Sequence, residues 1–113
     1  MRDCQEYDIW SLTTTVATRE DARRLARGAV EARLAACVQI EPIVSVYVWQ
    51  GALCEEDELR LTLKTLPSHA PALERWLKER HPYALPQLLG APCRADPAYA
   101  AWVAAQLGPL PAA

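Results

Sequence analysis

Pro42–Thr65 reads PIVSVYVWQGALCEEDELRLTLKT, and its reading decides the fold. Ile43 to Trp49 is dense in β-branched and aromatic residues, which suit a pleated, half-buried surface. Leu59, Leu61 and Leu63 alternate with Arg60, Thr62 and Lys64, the two-residue period of a strand with one apolar face. Gln50-Gly51 separates the runs, and the glycine supplies the positive φ that a tight hairpin turn needs. A two-residue turn sets the register: Trp49 opposes Ala52, Val48 opposes Leu53, and Val46 opposes Glu55. Directly opposed side chains share a face. One face of the hairpin therefore collects Val44, Val46, Val48, Leu53, Leu59, Leu61 and Leu63, an ordinary core face. The other collects Ile43, Ser45, Tyr47, Trp49, Cys54, Glu56, Glu58, Arg60, Thr62 and Lys64. That second face mixes large aromatics with charges, and its cover is the question that bears on function.

Outward from the hairpin, Ile9–Val16 reads as a strand, and Thr18 opens a helix with Asp21 at the reciprocal capping position. Ala22, Leu25, Ala26, Ala29, Val30 and Leu34 recur at helical spacing, and Arg19, Arg23, Arg24 and Arg27 fall mostly on the solvated side. Gly28 sits mid-helix at a cost of about 1 kcal/mol against alanine, which suggests close packing there. Cys37–Ile40 begins the next strand, and Pro42 implies a bulge, a bend or a sheet edge. Ser68 is the expected cap of a second helix, with Pro71 in its first turn and Leu73, Trp76, Leu77 and Arg80 along its inner side. His69 reads as exposed helix-start chemistry. HPYALPQ, from His81, is an extended, stiff loop. Leu88–Cys93 is a short strand, at an edge because of Pro92, and Asp96-Pro97 caps a helix that Gly108-Pro109 stops.

The order is β-α-β-β-α-β plus a C-terminal helix, an α+β chain on the ferredoxin-like split βαβ plan. Its helices cover one face of a four-stranded antiparallel sheet, and the leucine and valine face of the hairpin belongs beneath them. The Tyr47 and Trp49 face is left without cover from its own chain, the C-terminal segment aside. A large exposed aromatic patch marks an interaction site, and a hairpin that outruns its neighbours offers unpaired edges. Self-association is the simplest cover for both.

A chain of 113 residues is expected to form one domain, 1–113, with loose termini at 1–7 and 109–113. A formal net charge of −2 provides no basic footprint for nucleic acid. No run approaches the ~20 apolar residues that span a bilayer, and MRDCQEYDIW is too polar for a signal peptide, so the cytoplasm is the expected compartment. Cys4, Cys37, Cys54 and Cys93 contain no close pair and read as free thiols. No nucleophile elbow, HExxH or phosphate loop is present, and two histidines leave few carriers for proton transfer near neutral pH. The expectation is a protein that is not an enzyme.

LAACVQIEPIVSVYVWQG, then Glu58, LKT at Leu63–Thr65, HPY at His81–Tyr83 with Pro86, and DPAYAAW at Asp96–Trp102 together resemble the CutA divalent-cation tolerance family. The resemblance runs from about Ile9 to Leu107. It implies a PII-like protomer with a long β2–β3 hairpin, assembled as a tight homotrimer in the cytoplasm. It also implies a role in tolerance of copper and other divalent metals, and no particular reaction. Cys37 matches the cysteine of LAAC and His81 the histidine of HPY, the family's proposed metal ligands. A further cysteine of some members falls on Thr14, and the usual PE after HPY is Pro86-Gln87, so a cleft carboxylate is replaced by an amide.

Two sets of residues are thus candidates. Cys37 and His81 are chemically fit for copper or another divalent metal, with Glu58 able to join them. Each also has a plain structural reading, as a buried thiol and as the residue ordering the HPY loop, and no metal is expected to be required for folding. Glu58, Lys64 and Tyr83 form the second set, either a ligand cleft between subunits or a hydrogen-bond network that fixes the trimer. Tyr47 and Trp49 are expected at the trimer interface. The functional expectation is a small trimeric binding or signalling protein in metal homeostasis. The alternatives are an interaction scaffold for an unknown protein partner, without direct metal binding, and a small-molecule site in the inter-subunit cleft.

Overall fold

The computed structural model describes residues 8–110, so Cys4 with the whole expected loose start 1–7, and 111–113 of the expected loose end, lie outside the described residues. The elements are β1 (Asp8–Val16), α1 (Arg19–Glu31), β2 (Cys37–Trp49), β3 (Ala52–Thr65), α2 (Ala70–Arg80), β4 (Leu89–Arg94) and α3 (Pro97–Gln106). The sheet order is β2-β3-β1-β4 with antiparallel neighbours throughout. β3 lies between β1 and β2, so the β1–α1–β2 unit is split by an inserted strand, as expected.

The hairpin has the register that its turn dictates. Trp49 pairs with Ala52, Val48 with Leu53 and Val46 with Glu55, and the pairing runs unbroken to Cys37 and Lys64. Gln50 and Gly51 both have positive φ, 51° and 80°, the backbone of a turn whose twist matches that of its strands. Pro42 sits in unbroken register opposite Leu59 on β2, an edge strand, and Pro92 sits on β4, the other edge. Of the options open at Pro42, the edge position is the one adopted, because there a missing N–H removes no ladder bond.

Helix ends follow side-chain chemistry with one exception. Thr18 Oγ1 accepts from Asp21 N at 3.1 Å, and Asp96 accepts from Ala98 N and Tyr99 N, with Pro97 in the first turn. Ser68 does not cap α2: the cap position is His69, and the Ser68 hydroxyl turns to His69 Nδ1 instead. His69 is half-buried rather than exposed, and its Nε2–H donates to Gly108 O at 2.8 Å, which ties the end of α3 to the start of α2. Gly28 is the close-packing point its mid-helix position implies, since a Cβ there would stand 2.7 Å from the Trp76 ring.

One core cluster joins Leu12 and Val16 of β1, Leu25 and Ala29 of α1, Leu59, Leu61 and Leu63 of β3, and Leu73 and Leu77 of α2. Each fully buried leucine contributes about 1.5–3 kcal/mol. A second cluster, on the opposite face, packs Ala100, Val103 and Leu107 of the α3 segment against Ile9 and Ala36. The C-terminal helix therefore covers the Ile9 end of the mixed face.

The hairpin's apolar face is only half a core face, which corrects the expectation that all of it lies beneath the helices. β1 pairs with β3 only from Leu59 to Thr65, and the core packed beneath α1 and α2 ends at Leu59. Beyond that point Val44, Val46, Val48 and Leu53 are 63%, 60%, 66% and 77% exposed. The strands β2 and β3 overhang because they are 13 and 14 residues long and β1 is 9.

Candidate functional site

The overhang is bounded on its mixed face by the loop that follows α2. β4 pairs with β1 only from Asp8 to Thr13, so the last residues of β1 have a free edge. His81–Leu88 crosses that edge from the helix side of the sheet to the other. Two hydrogen bonds pin the crossing. His81 Nε2 lies 3.0 Å from Thr14 Oγ1, on the helix side. The Tyr83 phenol donates to Glu58 Oε2 at 2.7 Å, on the mixed face. The backbone Tyr83 N–H donates to His81 Nδ1 at 3.1 Å, which assigns the ring proton to Nε2 and makes Thr14 its acceptor. Burial holds the His81 pKa below its usual value, favouring this neutral tautomer.

Tyr83, Ala84, Leu85 and Gln87 of the loop, Ser45–Tyr47 and Trp49 of β2, Glu56 and Glu58 of β3, and Thr15 and Ala17 at the end of β1 enclose a half-open cleft of about 730 Å³. Strand alternation divides the acidic run Glu55–Glu58 between the two faces: Glu56 and Glu58 line this cleft, while Asp57 borders a smaller hollow on the helix side. Both phenols are pushed up from their ordinary pKa. For Tyr83 the causes are burial first, then the hydrogen bond to Glu58. For Tyr47 the main cause is Glu56, placed to accept from the phenol, and desolvation adds to it. Both rings are thus neutral over the physiological range.

Of the second candidate set, the structure brings Glu58 and Tyr83 together and leaves Lys64 apart. Lys64 shares their face but lies six residues further along β3, about 20 Å at strand rise. Its Nζ sits over the Tyr99 ring of α3, 5.9 Å from the centroid. Tyr47 and Trp49 stand half-exposed on the cleft wall. Gln87 also lines it and adds a neutral amide to the cleft wall.

The two metal candidates are not neighbours within one chain. Cys37 pairs with Lys64 and faces the α3 side of the sheet, whereas His81 contacts Thr14 on the α1 and α2 side. Both nitrogens of His81 are occupied by hydrogen bonds, and among the described residues no three His, Cys, Asp or Glu side chains group as a metal site. Thr14 is fully buried at His81. The residues of a single chain therefore do not fit a metal built on Cys37 and His81. Sequence reading did not pair Thr14 with His81, 67 residues apart. Nor did it put Glu56 in the cleft, although Glu56 shares the register parity of Glu58.

Among the described residues no helix is long and apolar enough to cross a membrane. The family model of the CutA1 divalent ion tolerance protein matches residues 10–106. The divalent-cation tolerance protein CutA of Thermus thermophilus is 44% identical over 79 residues, covering 69% of this chain and 77% of its own length. Protein CutA of mouse is 37% identical over 91 residues, 79% of this chain but 51% of its own length. The CutA structure from Synechococcus elongatus superposes with a TM-score of 0.87 at 45% identity, covering 90% of this chain and 92% of that one.

Proposed function

The chain belongs to the CutA1 divalent ion tolerance family, and on that premise we propose that it is a homotrimeric binding protein of divalent metal tolerance that performs no catalysis. The observation that carries this reading is the overhanging hairpin: Val44, Val46, Val48 and Leu53 on one side and Tyr47 and Trp49 on the other are bare in the single chain. Large apolar side chains bare on both faces of one ribbon call for partners, and identical copies supply them at fixed stoichiometry. The half-open cleft at Glu58 and Tyr83 lies along the same overhang, so assembly closes it between subunits and leaves it as the binding site.

In this reading Cys37 and His81 do not hold copper or another divalent ion, because they lie on opposite faces of the sheet, and the cleft takes a small ligand rather than a bare ion. Equilibrium dialysis of the assembled protein with Cu(I), Cu(II) and Zn(II) tests that point. Equal uptake by wild type and by Cys37→Ser combined with His81→Ala supports it. Uptake that disappears in the double variant overturns it and restores the pair as ligands.

A further inference from the structure

The walls of the cleft carry a distinct chemistry. Three aromatic rings, Tyr47, Trp49 and Tyr83, face a space that also holds the carboxylates of Glu56 and Glu58. None of the described lining residues is Lys, Arg or His. Of the cations on this face of the hairpin, Arg60 is paired with Glu41 at 2.9 Å and Lys64 is held at the far end of β3 over Tyr99. Aromatic faces attract cations through the ring quadrupole, and carboxylates attract them by charge. The same walls repel anions.

We infer that the cleft binds an organic ammonium ion, a compact amine whose charged nitrogen sits beside the Tyr47 and Tyr83 rings with Glu56 and Glu58 as counter-charges, while Trp49 lines the far end of the cleft. This rests on the reading of the cleft as the binding site. In the single chain the cleft measures about 730 Å³, room for a small molecule once a second subunit closes it. A bare divalent ion instead needs several oxygen ligands at about 2.0–2.6 Å. Glu58 already has one carboxylate oxygen engaged by the Tyr83 phenol, and among the described residues no third metal-ligating side chain joins it and Glu56. An ammonium ion asks for less: its charge is spread over its substituents, and ring faces with a carboxylate at longer range satisfy it.

The test is a ligand-observed NMR titration of the assembled wild-type protein with three probes of one shape. Choline carries the cation, 3,3-dimethylbutan-1-ol replaces its nitrogen with carbon, and 3,3-dimethylbutanoate is an anion. Choline is expected to bind at least tenfold more tightly than the alcohol, and the carboxylate more weakly than either. Glu56→Gln combined with Glu58→Gln, which keeps side-chain size, is expected to cut the preference to the few-fold that the rings alone supply while leaving the far-UV circular dichroism unchanged. Equal binding of all three probes, or a choline preference undiminished in the double variant, overturns the ammonium assignment and leaves the cleft as a site of other specificity. Failure of all three to bind overturns the cleft reading as well.

Discussion

The two halves of the β2–β3 hairpin share one alternation and meet different fates. Leu59, Leu61 and Leu63 lie beneath α1 and α2 and are almost wholly buried. Val44, Val46, Val48 and Leu53, on the same face of the same ribbon, are each more than half exposed. Composition separates them only in part: β2 keeps valine at every second position of the overhang, whereas β3 places Glu55 and Asp57 opposite Val46 and Val44. The difference is the reach of the neighbours: β1 stops at Val16 opposite Leu59, and the core beneath the helices ends there. A period of two thus specifies which side chains share a face, while the cover of that face is a property of the rest of the fold.

The comparison breaks first at Leu61. Leu61→Ala leaves a cavity in the helix-covered core and is expected to cost about 2–5 kcal/mol in urea unfolding. Val46→Ala, on the same face, is expected to change the stability of the dissociated chain by less than about 0.5 kcal/mol and to weaken assembly instead. Similar losses of chain stability at both positions would mean that the two halves are covered alike.

The loop that bounds the overhang gives a smaller effect. Tyr83→Phe removes the hydrogen bond to the Glu58 carboxylate and is expected to cost about 1–2 kcal/mol, read by the same unfolding experiment. An unchanged midpoint would show that the loop is held on the mixed face without that contact.

Smaller still is a pH dependence with two limbs. His81 is depressed in the folded state, so the unfolded chain binds its proton first. Its contribution is present above the ordinary histidine value of about 6.5 and is lost as pH falls below it. Tyr83 is raised, so the folded chain keeps the phenol proton that the unfolded chain releases, and stability falls as pH rises above about 10. His81→Gln is expected to flatten the acid limb alone and Tyr83→Phe to reduce the alkaline limb. An acid limb unaltered in His81→Gln would move that titration to other groups.

Much of the scaffold was legible in the chain. The Gln50-Gly51 turn predicted the pairings of Trp49, Val48 and Val46, because a two-residue loop sets the register, whereas the unbroken pairing past Pro42 was one of several options there. Thr18 and Asp96 marked helix starts through side chains that bond the first free N–H groups, and Pro42 and Pro92 marked edges through the N–H they lack. Ser68 misled because a hydroxyl near a helix start has competing acceptors, and here His69 takes it. The site was less legible. Placing Lys64 with Glu58 and Tyr83 used the face they share and ignored six residues of strand between them. The crossing of the HPY loop rests on Thr14–His81 and Glu58–Tyr83, contacts between residues 67 and 25 apart, for which local spacing holds no signal.

The central claim is that the overhanging half of the hairpin is covered by further copies of the chain. Sedimentation equilibrium of the wild-type protein measures this directly. The account predicts one species of three chain masses that persists on dilution into the micromolar range. A folded species of one chain mass would contradict it, because Val44, Val46, Val48 and Leu53 would then stand in water as they do in the isolated chain.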